Sequence, residues 1–281
     1  MNLDGWPNRN ASRFVRAAGL RWHVQVMGAG PALLLLHGTG ASTHSWRDVM
    51  PLLAAHYTVV APDLPGHGGT EAPATARLSL PGMARALQGL LQVMDVRAAA
   101  AAGHSAGAAI LARMTLDGAI APGSITSLNG AFLPLRGVAA QVFSPLARVL
   151  VGVPGVPRLF AWQAARPGTV DRLLEGTGST LDAEGVALYA RLVAEPGHVQ
   201  SALGMMAQWD LVPLVRDLAR LRTRLLLVAA ERDRSIPPAQ ANEVAVLVPG
   251  ARVMTLPGLG HLAHEEAPAQ AAALILEHAG G

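Results

Sequence analysis

Cysteine is absent from this sequence. Its absence excludes a disulfide framework, a thiolate nucleophile and a Cys-based metal site. Lysine is absent as well, so every basic residue is an arginine. The arginines are scattered and the formal charge is only +3, which leaves no stripe of cations for a nucleic-acid backbone. The calculated pI of about 10.4 is a consequence of composition, because guanidinium stays protonated to very high pH. Charged residues are scarce at 15% of the chain, below the usual share for a soluble protein. A hydrophobic share of 51% and a mean hydropathy of +0.32 instead indicate a large buried core. Uninterrupted apolar runs of about 18 residues are also missing, which argues against a spanning helix. The most apolar stretch, 138–162, is broken by Arg148, Arg158 and several prolines. It reads as a greasy cap or a membrane-touching surface. Residues 1–16 are polar and lack an apolar h-region, unlike a signal peptide, so the expected compartment is the cytoplasm, with membrane contact peripheral if it occurs. The ten histidines show no H-E-x-x-H or other metal spacing. Neither a metal nor a cofactor is expected.

What is present is an alternation of short apolar runs with helical patterns. Residues 20–26 alternate like a half-exposed strand, and Ala32 to Leu36 is a continuous apolar run typical of a strand buried on both faces. Further strands are predicted at 57–61, 97–102, 124–128, 224–229 and 252–256, with helices at 45–55, 80–94, 106–116, 238–247 and 269–278. This order predicts an α/β fold, a mostly parallel sheet covered on both faces. From about 135 to 210 the rhythm changes to helical pieces broken by Pro145, Pro154, Pro157, Pro167 and Pro196. The expected organisation is a core in two parts, 1–134 and 211–281, with a helical cap inserted at 135–210.

One stretch organises the rest: Gly103-His104-Ser105-Ala106-Gly107, between an apolar run and a small-residue helical pattern. Strand, sharp turn and helix around G-x-S-x-G are the context of a nucleophile elbow. A side chain at either glycine would collide with the neighbouring strand or helix. The plainer reading is a glycine-rich turn in which Ser105 caps the helix. Serine becomes a nucleophile only when a base takes its proton and a third group holds that base. Asp233 and His261 each follow a predicted strand and supply those roles in the order Ser, Asp, His. Glu231 and Asp210 compete with Asp233 as the acid. His264 competes with His261 as the base but is expected to make a polar contact near Glu265 and Glu266. The Ala106 and Thr39 amides are placed to form an oxyanion hole, Thr39 lying in His37-Gly38-Thr39-Gly40 after the Ala32–Leu36 strand. His37 and His104 are expected to be structural or pocket-lining, and Asp63 and His67 to brace a turn.

These motifs, together with Trp46, Asp63-Leu64-Pro65-Gly66-His67-Gly68 and Gly260-His261, resemble the α/β-hydrolase superfamily from Leu20 to His278. The resemblance implies the α/β-hydrolase fold. A serine at the elbow fits esterases, lipases, C–C bond hydrolases and cofactor-free haloperoxidase-like enzymes; haloalkane dehalogenases and epoxide hydrolases carry Asp there. Several segments look more specifically like the BchO family. They include Asn8-Arg9, Ala11-Ser12-Arg13-Phe14-Val15, Trp22-His23-Val24-Gln25 and Thr43-His44-Ser45-Trp46-Arg47-Asp48. The elbow with Ala108 to Leu111, Ser127 to Ala131, Phe143 to Ala147 and Met205 to Leu211 do so too. That family is the α/β-hydrolase associated with magnesium chelatase in bacteriochlorophyll synthesis, so the resemblance implies a pathway and a chelatase partner without specifying a reaction.

Three functions follow as expectations. The first is a serine hydrolase acting on, or accessory to, the magnesium-porphyrin step. Phe132, Phe143, Leu150, Phe160, Trp162, Met205, Met206 and Trp209 would suit a large flat apolar ligand such as a porphyrin, with Arg148, Arg158 or Arg166 pairing a carboxylate. The ordinary reading of the same residues is core packing and solvated arginines. The second is a porphyrin-binding accessory factor with little hydrolysis, which an intact Ser–His–Asp set weighs against. The third is a general carboxylesterase or C–C hydrolase on a small acyl substrate.

Overall fold

The structure is a computed structural model that describes residues 3–134, 155, 159, 162–163, 166 and 168–280. Its centre is an eight-stranded sheet: β1 (Ser12–Ala17), β2 (Leu20–Met27), β3 (Ala32–Leu36), β4 (Thr58–Pro62), β5 (Ala98–His104), β6 (Ser124–Leu128), β7 (Arg224–Ala230) and β8 (Arg252–Leu256). The spatial order is β1-β2-β4-β3-β5-β6-β7-β8. β2 runs antiparallel to both β1 and β4, and every pair from β4 to β8 is parallel.

Both faces of the sheet are covered, which is why the apolar runs are continuous. Alternate residues go to opposite faces. Leu34, Leu36, Ala101, Ile125, Leu225 and Leu227 join one core with helices α2 (Leu80–Val93) and α3 (Ala106–Leu116). Leu33, Leu35, Ala100, Ala102, Leu226 and Val228 join a second with α1 (Val49–Leu53) and the closing helix 268–280. The alanine run of β5 has weak strand propensity. It is a strand here because the middle of the sheet accepts it from both sides and its small side chains let α3 come close.

Between β6 and β7 lie α4 (Thr169–Gly176), α5 (Ala183–Val193) and α6 (Pro196–Ala207). After them come α7 (Val212–Asp217), α8 (Ala239–Leu247), α9 (Ala263–Glu266) and α10 (Pro268–Gly280). Asp182 caps α5, its carboxylate accepting from the Gly185 amide at 2.7 Å. No described helix is long and apolar enough to cross a membrane.

Two local expectations need correction. Residues 12–17, read from the sequence only as polar, form an edge strand. They pair with β2 across a turn at Ala18 and Gly19, both with positive φ, the backbone that joins twisted strands tightly. Because most of β1 is exposed, its pattern is weak. The helix predicted over 45–55 divides into a 3₁₀ turn, Thr43–Trp46, and α1. Pro51 lacks an N–H and is tolerated only in a first turn, so the α-helix cannot start much before Val49.

Candidate active site

The parallel register sets Leu36 beside Gly103, His104 beside Leu128, Leu128 beside Val228, and Ala230 beside Leu256. The carboxyl ends of β3, β5, β6, β7 and β8 therefore share one edge, where open α/β sheets hold their ligands. Ser105 sits there between β5 and α3 with φ 50° and ψ −118°. This is sterically unfavourable for a residue with a Cβ. Its side chain caps nothing in α3, so the capping reading fails. Among the described residues the Ser105 hydroxyl has no hydrogen-bond partner, and the residue is partly exposed. A Cβ on Gly103 would strike the Ala108 and Gly107 backbone, and one on Gly107 the carbonyl of Leu36. The turn exists because both positions are glycine.

His261 and Asp233 meet on the loops that leave β8 and β7 at this same edge. The His261 Nδ1–H donates to Asp233 Oδ2 at 2.7 Å, and the other Asp233 oxygen accepts from the Ser235 and Ile236 amides, both at 2.8 Å. The carboxylate is almost completely buried. Every lone-pair direction this requires is filled, leaving the imidazole its Nε2 for other work. The competing acids are engaged elsewhere: Glu231 accepts from the Gly258 amide at 2.9 Å, and Asp210 from Val212 at 2.9 Å.

Thr39 lies in the loop after β3. A Cβ on Gly38 would come within 2.8 Å of His104 Nδ1 and 3.0 Å of Ser105 Cβ, so this loop lies directly against the serine turn. His37 beneath it donates from Nδ1 to the Gly38 carbonyl and accepts the Leu64 amide at Nε2, both at 2.8 Å. Burial lowers its pKa, with Asp63 opposing, and it stays neutral. His104 donates from Nε2 to the His261 carbonyl at 2.9 Å. Burial, then His264 and His261, hold His104 well below the ordinary histidine value. Both rings are fully buried supports of backbone.

Asp63 braces a turn, as expected. It accepts from His23 Nδ1 and the Thr43 amide at 2.7 Å and from the Gly69 amide at 2.8 Å. His67 packs between His37 and His198, with ring centroids 5.5 and 5.1 Å away. His264 departs from its expected polar contact. Its ring stacks between Trp46 and His104, at 4.6 and 4.4 Å, and neither nitrogen has a partner among the described residues. The polar role belongs to its neighbours. Glu265 joins Arg47 and Tyr189, both at 2.7 Å, and Glu266 accepts the Gly260 amide at 2.8 Å.

The proposed pocket set disperses. Phe132 and Met205 are buried in the core and Trp209 packs against it. Met205 sulfur accepts from the Thr39 hydroxyl at 3.5 Å, which links α6 to the loop after β3. Phe132 borders a cavity of about 20 Å³, room for about one water. Trp162 is 60% exposed, with the Arg166 guanidinium 4.3 Å from its ring centroid. Phe143, Arg148, Leu150, Arg158 and Phe160 lie outside the described residues. Among those described, no group of three or more His, Asp or Glu is arranged to hold a metal ion.

Four contributors escaped the sequence reading. Asn129 hydrogen-bonds both the Ala230 amide and the base loop. Thr177 and Ser179 pin the acid and base loops together: the Thr177 carbonyl accepts from Arg234 at 3.1 Å and His261 at 3.4 Å, and Ser179 Oγ accepts from Leu262 at 2.8 Å. His198 on α6 accepts the Gly68 amide at 3.2 Å and donates to the Gly40 carbonyl at 3.1 Å. Only Asn129 leaves a local trace, an Asn-Gly pair at a strand end where a positive φ is tolerated.

Comparison with known proteins places this geometry. A family model described as alpha/beta hydrolase fold matches residues 31–268. The magnesium-chelatase 30 kDa subunit of Rhodobacter capsulatus is 40% identical over 274 residues, covering 97% of this chain and 95% of that protein. A pimeloyl-acyl-carrier-protein methyl ester esterase of Xanthomonas campestris is 30% identical over 283 residues, covering 89% of this chain and 96% of the esterase. Among solved structures, an alpha/beta hydrolase fold protein from Burkholderia ambifaria superposes with a TM-score of 0.81 at 23% identity, over 95% of this chain and 97% of its own. The sequence-based expectation of fold and of BchO resemblance holds.

Proposed function

The chain belongs to the α/β-hydrolase family, and on that footing we propose that it is a serine hydrolase serving the magnesium-porphyrin step of bacteriochlorophyll synthesis. Ser105 is the nucleophile, His261 the base and Asp233 the group that orients it. The observation that carries this reading is the 2.7 Å bond from His261 Nδ1–H to a buried Asp233 carboxylate, at the edge where Ser105 stands. With Nδ1 engaged, Nε2 takes the Ser105 proton as Oγ attacks an acyl carbon. The oxyanion forms between the Ala106 amide, at the N-terminus of α3, and the Thr39 amide. His261 then returns the proton to the leaving group, and water repeats the cycle on the acyl-enzyme. The chemistry uses side chains and water alone.

The pathway assignment draws on the R. capsulatus relative, whose name places it with magnesium chelatase. The substrate is an apolar small molecule such as a porphyrin, and the chelatase is the partner. A second reading, a general carboxylesterase, has its own support in the similarity to a methyl ester esterase.

Wild type and Ser105→Ala, treated with a fluorophosphonate probe and titrated with protoporphyrin IX and its magnesium form, separate these readings. The expected result is labelling of wild type alone and porphyrin binding by both. An unlabelled wild type would remove the nucleophile. Labelling without porphyrin binding would leave the esterase.

A further inference from the structure

We infer that Asn129 is the positioning residue that holds the proposed nucleophile, acid and base in one frame. This rests on the roles proposed for Ser105, Asp233 and His261.

Asn129 follows β6 with φ 49° and is buried. Its side chain bonds three backbone groups. Oδ1 accepts the Ala230 amide at 2.7 Å, at the end of the strand that launches the acid loop. Nδ2 donates to the Gly260 carbonyl at 3.0 Å and to the His261 carbonyl at 2.8 Å. The amide cannot be turned over, because one side faces a donor and the other two acceptors. A single planar group thereby fixes the end of β7 relative to the backbone of the base.

The same turn grips the nucleophile. The Ser105 amide donates to the Leu128 carbonyl at 3.0 Å, and the Ser105 carbonyl accepts from Ala131 at 3.0 Å. Residues 128–131 thus hold Ser105 by its backbone and the other two loops by one side chain. Neighbouring supports act beside it: His104 bonds the His261 carbonyl at 2.9 Å, Glu266 accepts the Gly260 and Thr180 amides, and Thr177 with Ser179 joins the acid and base loops. Bonds to Asn129 from the acid and base sides span 101 and 132 residues. Proton transfer between Ser105 and His261 is steep in distance, and a displacement of about 1 Å costs about 10²-fold in rate.

Asn129→Asp tests this. The side chain keeps its size, accepts a positive φ and keeps an acceptor for Ala230, but it aims a second oxygen at two carbonyls. Asn129→Gly keeps the backbone conformation and removes all three bonds. The full chain would be labelled with a fluorophosphonate at several probe concentrations, and the His261 Nδ1–H proton followed by NMR. The expected result for both variants, assayed well below each one's own unfolding midpoint, is a maximal inactivation rate tenfold to a hundredfold lower, with half-saturating probe concentration changed little. The NMR resonance should be shifted or lost in each. A wild-type rate and an unmoved resonance in Asn129→Asp would overturn the inference, as would losses that track unfolding in both variants. If wild type itself resists the probe, the nucleophile assignment fails, and the resonance still decides whether Asn129 orders the His–Asp pair.

Discussion

Individual side chains at this site are constrained by what surrounds them more than by what they are. Glu265 is the clearest case. Its carboxyl is buried against Arg47 and Tyr189. Burial pushes its pKa up to about 7, against the opposing effects of both partners. A carboxyl whose folded value lies above its unfolded one binds more protons when folded. Its contribution to stability is therefore complete below about pH 4.5 and is lost as pH rises through 7. Glu265→Gln removes that dependence. Urea unfolding at a series of pH values should show the variant gaining on wild type as pH rises from about 4.5 to 7.5. A constant difference across that range would show that Glu265 does not titrate there.

At the scale of elements, the sheet supplies strand ends and the helices between β6 and β7 hold the loops that leave them. α6 is central to this. His198 bridges Gly40 and Gly68, Ser201 packs against Gly66, and Met205 meets Thr39. His198 stays neutral, burial lowering its pKa to about 4, which keeps Nδ1 available as an acceptor. His198→Ala leaves a carbonyl and an amide without their partner. A loss of stability of about 1–3 kcal/mol is expected, with a reduction of at least several-fold in Ser105 labelling because the Thr39 loop loses an anchor. Labelling at the wild-type rate would show that α6 does not set the oxyanion hole. A second prediction concerns the brace at 177–179. Gly178 has φ 86°, and a Cβ there would run into the Arg232 carbonyl. Gly178→Ala should lower the thermal midpoint by several degrees, for a loss of about 1–3 kcal/mol, and slow labelling, because Arg232 directly precedes Asp233. An unchanged midpoint would show that the acid loop can yield.

For the whole molecule, the unusual feature is the number of histidines folded into the interior. Burial is the largest cause of lowered pKa for His37, His44, His67, His104, His198 and His264. Each must gain a proton on unfolding once the pH drops below the ordinary value of 6.5. Stability is therefore present above about 6.5 and falls as the pH drops from there toward the folded values. Each group adds a slope of up to about 1.4 kcal/mol per pH unit, enough together to outweigh the opposite trend of Glu265. Asp63, held well below the usual carboxylate range by His23 despite its burial, adds a further loss only in stronger acid. The thermal midpoint should decline steeply between pH 7 and pH 5. A flat profile there would mean that these rings take up protons in the folded protein as readily as in the unfolded chain.

Local chemistry alone determined strands β2 to β8 and the serine turn. Runs such as Ala32–Leu36 and Ser124–Leu128 can be satisfied only between two apolar layers. The glycines at 103 and 107 fit only a turn too tight for a side chain. The order of Ser105, Asp233 and His261 at strand ends was legible for the same reason, since each strand end is announced by the apolar run before it. Tertiary structure decided which partners met. Asp233, rather than Glu231 two residues away, faces His261 because the backbone turns at Ser235 and Ile236. His264 was drawn into a ring stack rather than a polar contact, and Phe132 and Met205 took the ordinary reading of core packing. Asn129 acquired its place from bonds to residues 101 and 132 positions away. Contacts of that span leave no periodicity in the sequence, because they depend on how separate strands are brought side by side.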